Sequence, residues 1–182
     1  MPRLEALTVD GWLSELGIEP VERAERDGVS SWDLHLDGQR RAGVRMTLIL
    51  DPARALLLWV HFAPPLNDSF RVSYRQFLRW NDELPFVKFA LSDDDRPVLT
   101  TELSIGSLDR DELGRAVCRL LAVCDLTLER SMAWLFPGAR SVPEMAHPSR
   151  QAALFDRYRE DLAELLPASG EAAAVEISDA GT

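Results

Sequence analysis

The feature that most constrains the fold is a set of short runs in which apolar residues recur at every second position. Five such runs occur, and they span Ser31–Leu36, Val44–Leu50, Ala55–Phe62, Pro85–Leu91 and Val98–Ile105. Successive side chains of a strand point to opposite faces, so each run predicts a β-strand. The connections inside the first group of three and inside the last pair are short, which predicts antiparallel hairpins. The third run is apolar on both faces and therefore predicts a central or doubly covered strand.

Helical periodicity surrounds these strands. The spacing of apolar residues predicts four helices, which span Thr8 or Asp10 to about Gly17, about Arg71–Asn81, Asp109–Leu135 and Pro148–Leu166. In the longest of them, Asp109 and Glu112 have the spacing of a capping box. The predicted order is α-βββ-α-ββ-α plus an extra C-terminal helix. We therefore expect a two-layer α+β fold, in which a five-stranded antiparallel sheet carries its helices on one face.

Three parts of the chain differ in pattern. Residues 1–136 contain the whole α-βββ-α-ββ-α series, and residues 137–166 add a helical extension. Residues 167–182 are small and acidic and have no apolar period, which predicts a flexible tail. A chain of 182 residues is long enough to bury a sizeable core without disulfides or metal. The sequence thus predicts one main domain with a C-terminal appendage.

Net charge and hydropathy limit the partners and the location. The formal charge is −10, and Lys88 is the only lysine. Nucleic-acid binding uses clustered cations, so this charge disfavours it. No apolar run approaches the roughly 20 residues that span a bilayer, and the N-terminus lacks the apolar region of a signal peptide. A cytoplasmic protein without nucleic-acid or membrane partners is expected, and the preference for Arg over Lys suggests a bacterial source.

Residues able to carry chemistry are scattered. His35, His61 and His147 stand apart from one another and lack the ligand spacing of a zinc site. Cys118 and Cys124 lie six residues apart on a helix, too far for a disulfide, and are interpreted as buried thiols. The run Asp93–Asp95 is interpreted as a solvated turn, because calcium loops need spaced ligands and a distal glutamate. Phosphate-binding and nucleophile-elbow motifs are absent from the sequence. We predict no catalytic residues, metal or cofactor.

The helix ending at Asn81 is rich in aromatic residues. Its aromatic side chains cover more than one helical stripe, so some are expected outside the core. Aromatic residues are enriched at binding hot spots. The predicted interface residues are Tyr74, Phe77, Trp80 and Phe86. The alternative is that Trp80 packs against a neighbouring helix.

Residues 77–91, FLRWNDELPFVKFAL, resemble the signature region of YbjN-like proteins. In those proteins a helix ending in Asn leads through Leu-Pro to a strand similar to GKFAL, followed by an acidic turn and a returning strand; here Val87 replaces the glycine. The element order is also similar to that of class I type III secretion chaperones. The resemblance covers about Thr8 to Leu135.

What the resemblance implies is binding. Chaperones of that fold are acidic homodimers that hold a client segment in extended form on helix and sheet surfaces. YbjN-like proteins are often called sensory transduction regulators, and the family offers no catalytic residues to carry over.

Three functional hypotheses follow. The first is a non-catalytic, homodimeric, chaperone-like or regulatory module whose partners are itself and an unidentified client or regulatory protein. The second is a small-molecule sensor with an apolar pocket between sheet and helices, lined by Trp59 and His61. The third is an enzyme, which would require one of the histidines to meet an acid partner in a cleft.

Overall fold

The computed structural model of the chain describes residues 4–65, 71–135 and 145–163. The helices are α1 Ala6–Glu15, α2 Arg71–Glu83, α3 Arg110–Leu135, α4 Ala152–Arg157 and α5 Arg159–Ala163. The strands are β1 Glu22–Arg26, β2 Val29–Leu36, β3 Val44–Asp51, β4 Ala55–His61, β5 Lys88–Leu91 and β6 Pro97–Ser104. The predicted tail and the last three residues of the predicted C-terminal helix lie outside these ranges.

The strands form one sheet in the order β1-β2-β3-β4-β6-β5, and every neighbouring pair is antiparallel. β4 lies between β3 and β6, which confirms its predicted central position. Across these pairs Leu48 is opposite Leu58, and Leu56 is opposite Leu103. Since opposite residues share a face, the pairing places these four leucines of the three central strands on one side of the sheet.

The sheet has six strands, where five were predicted. The additional strand β1 reads ERAER, and all five of its side chains are exposed. A strand without a buried face has no apolar alternation, so the sequence pattern gave no sign of it. β1 pairs with β2 through the backbone, with Glu22 opposite Asp33 and Arg26 opposite Val29. Its charged side chains protect this edge of the sheet against pairing with other strands.

The inner face of the sheet forms the core with the helices. Trp32, Leu34 and Leu58 are fully buried. The predicted apolar stripe of α3 is buried as well in the part whose side chains are described, and consists of Leu113, Val117, Leu120, Leu121, Cys124 and Leu128. The fold class is thus the predicted one, an antiparallel sheet with its helices on one face.

The C-terminal helix is divided in two. The sequence predicted one continuous helix from Pro148, whereas α4 ends at Arg157 and α5 begins at Arg159. Tyr158 lies between them with φ −109° and ψ 24°, outside helical geometry. Its ring packs on Gly114 of α3, and its hydroxyl donates a hydrogen bond to Asp111 at 2.7 Å. This tertiary contact explains a break that periodicity could not predict.

An aromatic cluster joins α2 to the sheet. Phe77 and Trp80 of α2 meet Phe89 of β5 at centroid distances of 4.9 and 5.4 Å, and Phe62 lies 5.0 Å from Phe89. Phe77 is 5% exposed and Trp80 is 1% exposed. These two predicted interface residues therefore belong to the interior of the protomer, because the inner side of α2 faces the end of β4.

We predict that replacing Trp80 destabilises the fold. Trp80→Ala removes a fully buried ring and should lower the free energy of unfolding by about 3–5 kcal/mol. Leu7→Ala on α1 is the control, because Leu7 is 75% exposed, and should cost less than about 0.5 kcal/mol. Urea denaturation followed by circular dichroism measures both values. Equal losses for the two variants would contradict this packing.

Candidate functional site

The part of the chain that the structure describes contains three histidines and two cysteines. No group of three His, Cys, Asp or Glu residues there could hold a metal ion. His147 is the histidine that approaches a carboxylate, with Nδ1 4.0 Å from Asp37, but that carboxylate is already paired with Arg150 at 2.7 Å. Burial raises the pKa of both Cys118 and Cys124 to about 12. The two thiols are therefore protonated at neutral pH and unreactive.

The four predicted interface residues occupy different environments. Phe77 and Trp80 lie in the core, as described above. Tyr74 is partly buried and packs against the core cluster. Phe86, in the turn between α2 and β5, is 53% exposed. Among these four, Phe86 is the side chain best placed to meet another molecule.

Phe86 is held in an unusual conformation. Its φ is 66°, in the left-handed region that disfavours residues with a side chain. Its carbonyl accepts a hydrogen bond from Thr101 Oγ1 at 2.7 Å, and the guanidinium of Arg119 lies 4.2 Å from its ring centroid. The cation–π contact and the hydrogen bond hold the ring at the surface.

Two further apolar side chains are exposed on α2 and β5, the elements on either side of this turn. Leu78 on α2 is 69% exposed, and Leu91 at the end of β5 is 48% exposed. We call Tyr74, Leu78, Phe86 and Leu91 together the α2–β5 surface. Neither leucine is among the interface residues predicted from the sequence. Helical spacing could have identified Leu78, because its neighbour Phe77 takes the core-facing position.

Asn81 covers part of the free edge of β5. Its side-chain Oδ1 accepts a hydrogen bond from the backbone N–H of Phe89 at 2.6 Å, and its Nδ2 donates to the carbonyl of Phe89 at 3.0 Å. The side-chain amide thus takes the position of a neighbouring strand. Because a sheet edge with free backbone groups invites pairing with other chains, this contact blocks edge pairing at Phe89. Association at the α2–β5 surface must therefore use side chains.

The outer face of the sheet carries an apolar centre. Ile49, Leu57 and Trp59 point away from the inner core and are only partly buried, with Ile49 opposite Leu57 in the pairing. The helices whose packing is described lie on the inner side. We call Ile49, Leu57, Trp59 and His61 the outer sheet face. In the sequence, Ile49, Leu57 and Trp59 are apolar at the alternate positions of β3 and β4, which is the signal of an apolar outer face.

Trp59 and His61 form a stacked pair on this face. Their ring centroids are 6.3 Å apart with an interplanar angle of 24°. Trp59 Nε1 and His61 Nδ1 are shielded from solvent and have no hydrogen-bond partner among the described residues. Burial, followed by the charges of Arg45 and Arg96, lowers the pKa of His61 below 6.5. The imidazole is therefore neutral at neutral pH, which keeps this face apolar.

The family follows from a sequence comparison. The model of YbjN, described as "Putative bacterial sensory transduction regulator", matches residues 6–129. The chain belongs to the YbjN family. This confirms the resemblance of residues 77–91, whose Asn81 makes the paired contact with Phe89. The description of the family names a regulatory role.

Comparison with solved structures gives a distant similarity. A chain of the heterodimeric complex ExoU–SpcU from the type III secretion system of Pseudomonas aeruginosa is 23% identical to this YbjN-family chain, with a TM-score of 0.42. The match covers 71% of the present chain and 98% of that chain. A search of curated proteins gave no significant match. Within the described ranges, none of the helices has the length and apolarity to cross a membrane.

We predict that His61 makes stability depend on pH. In the unfolded chain His61 returns to its ordinary pKa of 6.5, whereas the folded value is lower. The unfolded state therefore binds a proton first, so stability is full above pH 6.5 and declines as the pH falls below it. The free energy of unfolding of the wild type should fall more steeply over this range than that of His61→Gln, as measured by urea denaturation. His35→Gln, which replaces another histidine on the same face of the sheet, is the matched control. If the free energy of unfolding depended on pH identically in the wild type and in His61→Gln, His61 would not be the group responsible.

Proposed function

We propose that this YbjN-family chain is a non-catalytic, homodimeric protein-binding module that holds an extended client segment on its outer sheet face. The observation that carries the proposal is the apolar centre of that face, on the side of the sheet opposite the described helices. Partly exposed apolar side chains that adjoin one another are typical of binding surfaces. A chaperone-like or regulatory activity requires a binding surface of this kind and no catalytic group.

The outer sheet face suits an extended apolar segment flanked by polar residues. Ile49, Leu57 and Trp59 supply the apolar contact at the middle of the sheet. Arg45 and Glu102 are exposed on strands to either side of β4. Charges of both signs around an apolar centre favour one register of the client over others.

Homodimerisation is assigned to the α2–β5 surface. Leu78, Phe86 and Leu91 are the large exposed apolar residues of α2, β5 and the turn between them. A specific interface of about 1,200–2,000 Å² needs an apolar centre of this kind. Arg119, stacked on Phe86, adds a residue type enriched at hot spots. Phe77 and Trp80 would support such an interface from beneath, because they fix the position of α2.

The sensor hypothesis receives no support from the position of its two residues. Trp59 and His61 lie on β4 positions that point away from the helices, whereas the alternating residues Leu58 and Val60 face the core. They cannot line a pocket between sheet and helices, because strand geometry places them on the other side of the sheet. That detail of the sequence interpretation is corrected.

We predict that the wild-type chain is a dimer and that the α2–β5 surface holds it together. Leu78→Ser and Phe86→Gly should each raise the dimer dissociation constant at least about tenfold, since each removes an apolar contact of a kilocalorie or more. Glycine at 86 also suits the left-handed backbone. Size-exclusion chromatography with light scattering measures the constants, and Leu7→Ser, which changes a residue 75% exposed on α1, is the control. A wild-type monomer at high micromolar concentration would overturn the dimer.

We also predict that the outer sheet face binds unfolded client segments. The wild type should suppress aggregation of a chemically unfolded model protein. For the same suppression, Leu57→Ser and Trp59→Ser should each be needed at a concentration at least about tenfold higher. Light scattering follows the aggregation, and Leu7→Ser again controls for loss of an exposed leucine. Full suppression by both outer-face variants would contradict this use of the outer sheet face, whatever the oligomeric state.

A further inference from the structure

Residues 145–163 lie on α3 and on the loop of residues 37–43, outside the part of the chain that matches the YbjN family. We call these residues the C-terminal segment. We call the surface beneath them the α3 groove, which is formed by Asp111, Gly114, Cys118, Ala122, Asp125 and the 37–43 loop. The segment is fixed to the groove at two polar anchors, with apolar contacts between them.

The first anchor is Asp37, whose side chain is only 1% exposed. Arg150 donates to both carboxylate oxygens, from Nε at 2.7 Å and from Nη2 at 3.0 Å. Gln151 Oε1 accepts the backbone N–H of Asp37 at 2.6 Å, and Ser149 Oγ donates to its carbonyl at 3.2 Å. The hydrogen bonds from Arg150 hold the pKa of Asp37 well below its usual value. Three consecutive residues of the segment thus recognise one buried residue.

The 37–43 loop is organised by the domain itself. Asp125 of α3 accepts the backbone N–H groups of Gln39 at 2.6 Å, Arg40 at 3.1 Å and Arg41 at 2.8 Å. The carboxylate also lies against Gly38, where a Cβ would be 2.6 Å from Asp125 Oδ2. The N–H of Gly43 binds Asp37 Oδ1 at 2.9 Å. The anchor for Arg150 is therefore built by residues of the family domain and not by the segment.

The second anchor is at the other end of the groove. Tyr158 Oη donates to Asp111 Oδ1 at 2.7 Å, and Arg157 Nη2 donates to the same oxygen at 3.1 Å. The ring of Tyr158 rests on the backbone of α3, since a Cβ at Gly114 would lie 2.5 Å from its Cε2 and 2.6 Å from its Cζ. Only glycine at position 114 allows this approach. Its presence in the middle of a helix, where it is unfavourable, is explained by the docked ring.

The rest of the contact between the segment and the groove is apolar. Leu154, Phe155 and Leu162 are each buried to about the same extent, with 4–5% exposure. A cleft of about 190 Å³ adjoins Phe155 and Leu162 on one side and Ala122 and Leu126 on the other. The segment contains helices of six and five residues, and helices so short are not stable alone in water. Its helical form therefore depends on the groove, whereas the groove is assembled by α3 and Asp125.

We propose that the α3 groove is a docking site for a short amphipathic helical peptide, and that the C-terminal segment fills it in cis as a built-in competitor. The peptide that fits carries Arg-Gln for Asp37, a Leu-Phe pair for the groove, and a Tyr eight residues after the Arg for Asp111 and Gly114. A partner presenting this pattern gains access only when it displaces the segment. The proposal concerns residues separate from the α2–β5 surface and the outer sheet face, so it stands or falls independently of dimerisation and client binding.

Gly114→Ala in the full-length chain tests the seating of the segment. Alanine is the better helix former, so α3 itself is preserved, but the new Cβ meets the Tyr158 ring. Hydrogen exchange should then accelerate at least about tenfold in residues 145–163, with the amides of β2–β4 and α3 still protected. Gly11→Ala in α1 is the control, since nothing lies within 4 Å of a Cβ there. Unchanged exchange, or loss of protection across the sheet as well, would overturn the proposal.

A peptide added in trans tests whether the groove is a binding site. A fluorescent peptide of residues 145–163 should bind full-length Tyr158→Ala at least about tenfold more tightly than the wild type, because the cis segment is weakened. The double variant Gly114→Ala/Tyr158→Ala should lose this binding, since the Cβ then blocks the ring of the peptide. Fluorescence polarisation measures the affinities, and Arg150→Ala provides a second weakened segment. Equal affinity for wild type and both weakened variants, or unfolding of both variants by circular dichroism, would show that the segment is not an exchangeable occupant.

Discussion

One-sided burial of the sheet is the constraint on which the rest of the structure depends. The apolar residues of β2, β3, β4 and β6 that face inward can leave water only if helices cover them, and α1, α2 and α3 do so. α2 is fixed by the aromatic cluster of Phe62, Phe77, Trp80 and Phe89, whose rings meet at centroid distances near 5 Å. Because Phe77 and Trp80 of α2 lie in the core, the large apolar side chains most exposed near this helix are Leu78 and the turn residue Phe86.

The two sheet edges are protected against strand addition by different means. β1 presents an unbroken row of exposed, mostly charged side chains, and the side chain of Asn81 satisfies the backbone of Phe89 on β5. Backbone pairing is the least selective way for proteins to associate, and blocking it leaves recognition to side chains. This is why the outer sheet face and the α2–β5 surface carry the proposed functions. Asn81, in the segment that resembles the YbjN signature, thus has a structural role in this chain that does not depend on any ligand.

The C-terminal segment shows how a small addition can change which surfaces of a domain are available. Asp125 organises a loop, the loop buries Asp37, and Asp37 receives Arg150. Gly114 provides the backbone on which Tyr158 rests. The sequence does not indicate the role of any of these residues, because a single acidic residue or a glycine in a helix can have many different roles. Their structural roles depend on contacts with residues more than 40 positions away along the chain.

Local pattern alone determined the strands with a buried face, the central place of β4 and the α3 stripe from Leu113 to Leu128, because alternation and helical period record burial directly. The family was indicated instead by the resemblance of residues 77–91 to a known signature region. Tertiary structure decided what pattern does not record. β1 exists through backbone pairing with no buried face, Tyr158 interrupts a helix because its ring docks on Gly114, and Trp80 is buried while Leu78 is exposed because α2 turns its aromatic side to Phe89. Sequence periodicity shows that a residue has an apolar neighbour, but the identity of that neighbour, and so the difference between core and surface, is set only when distant segments meet.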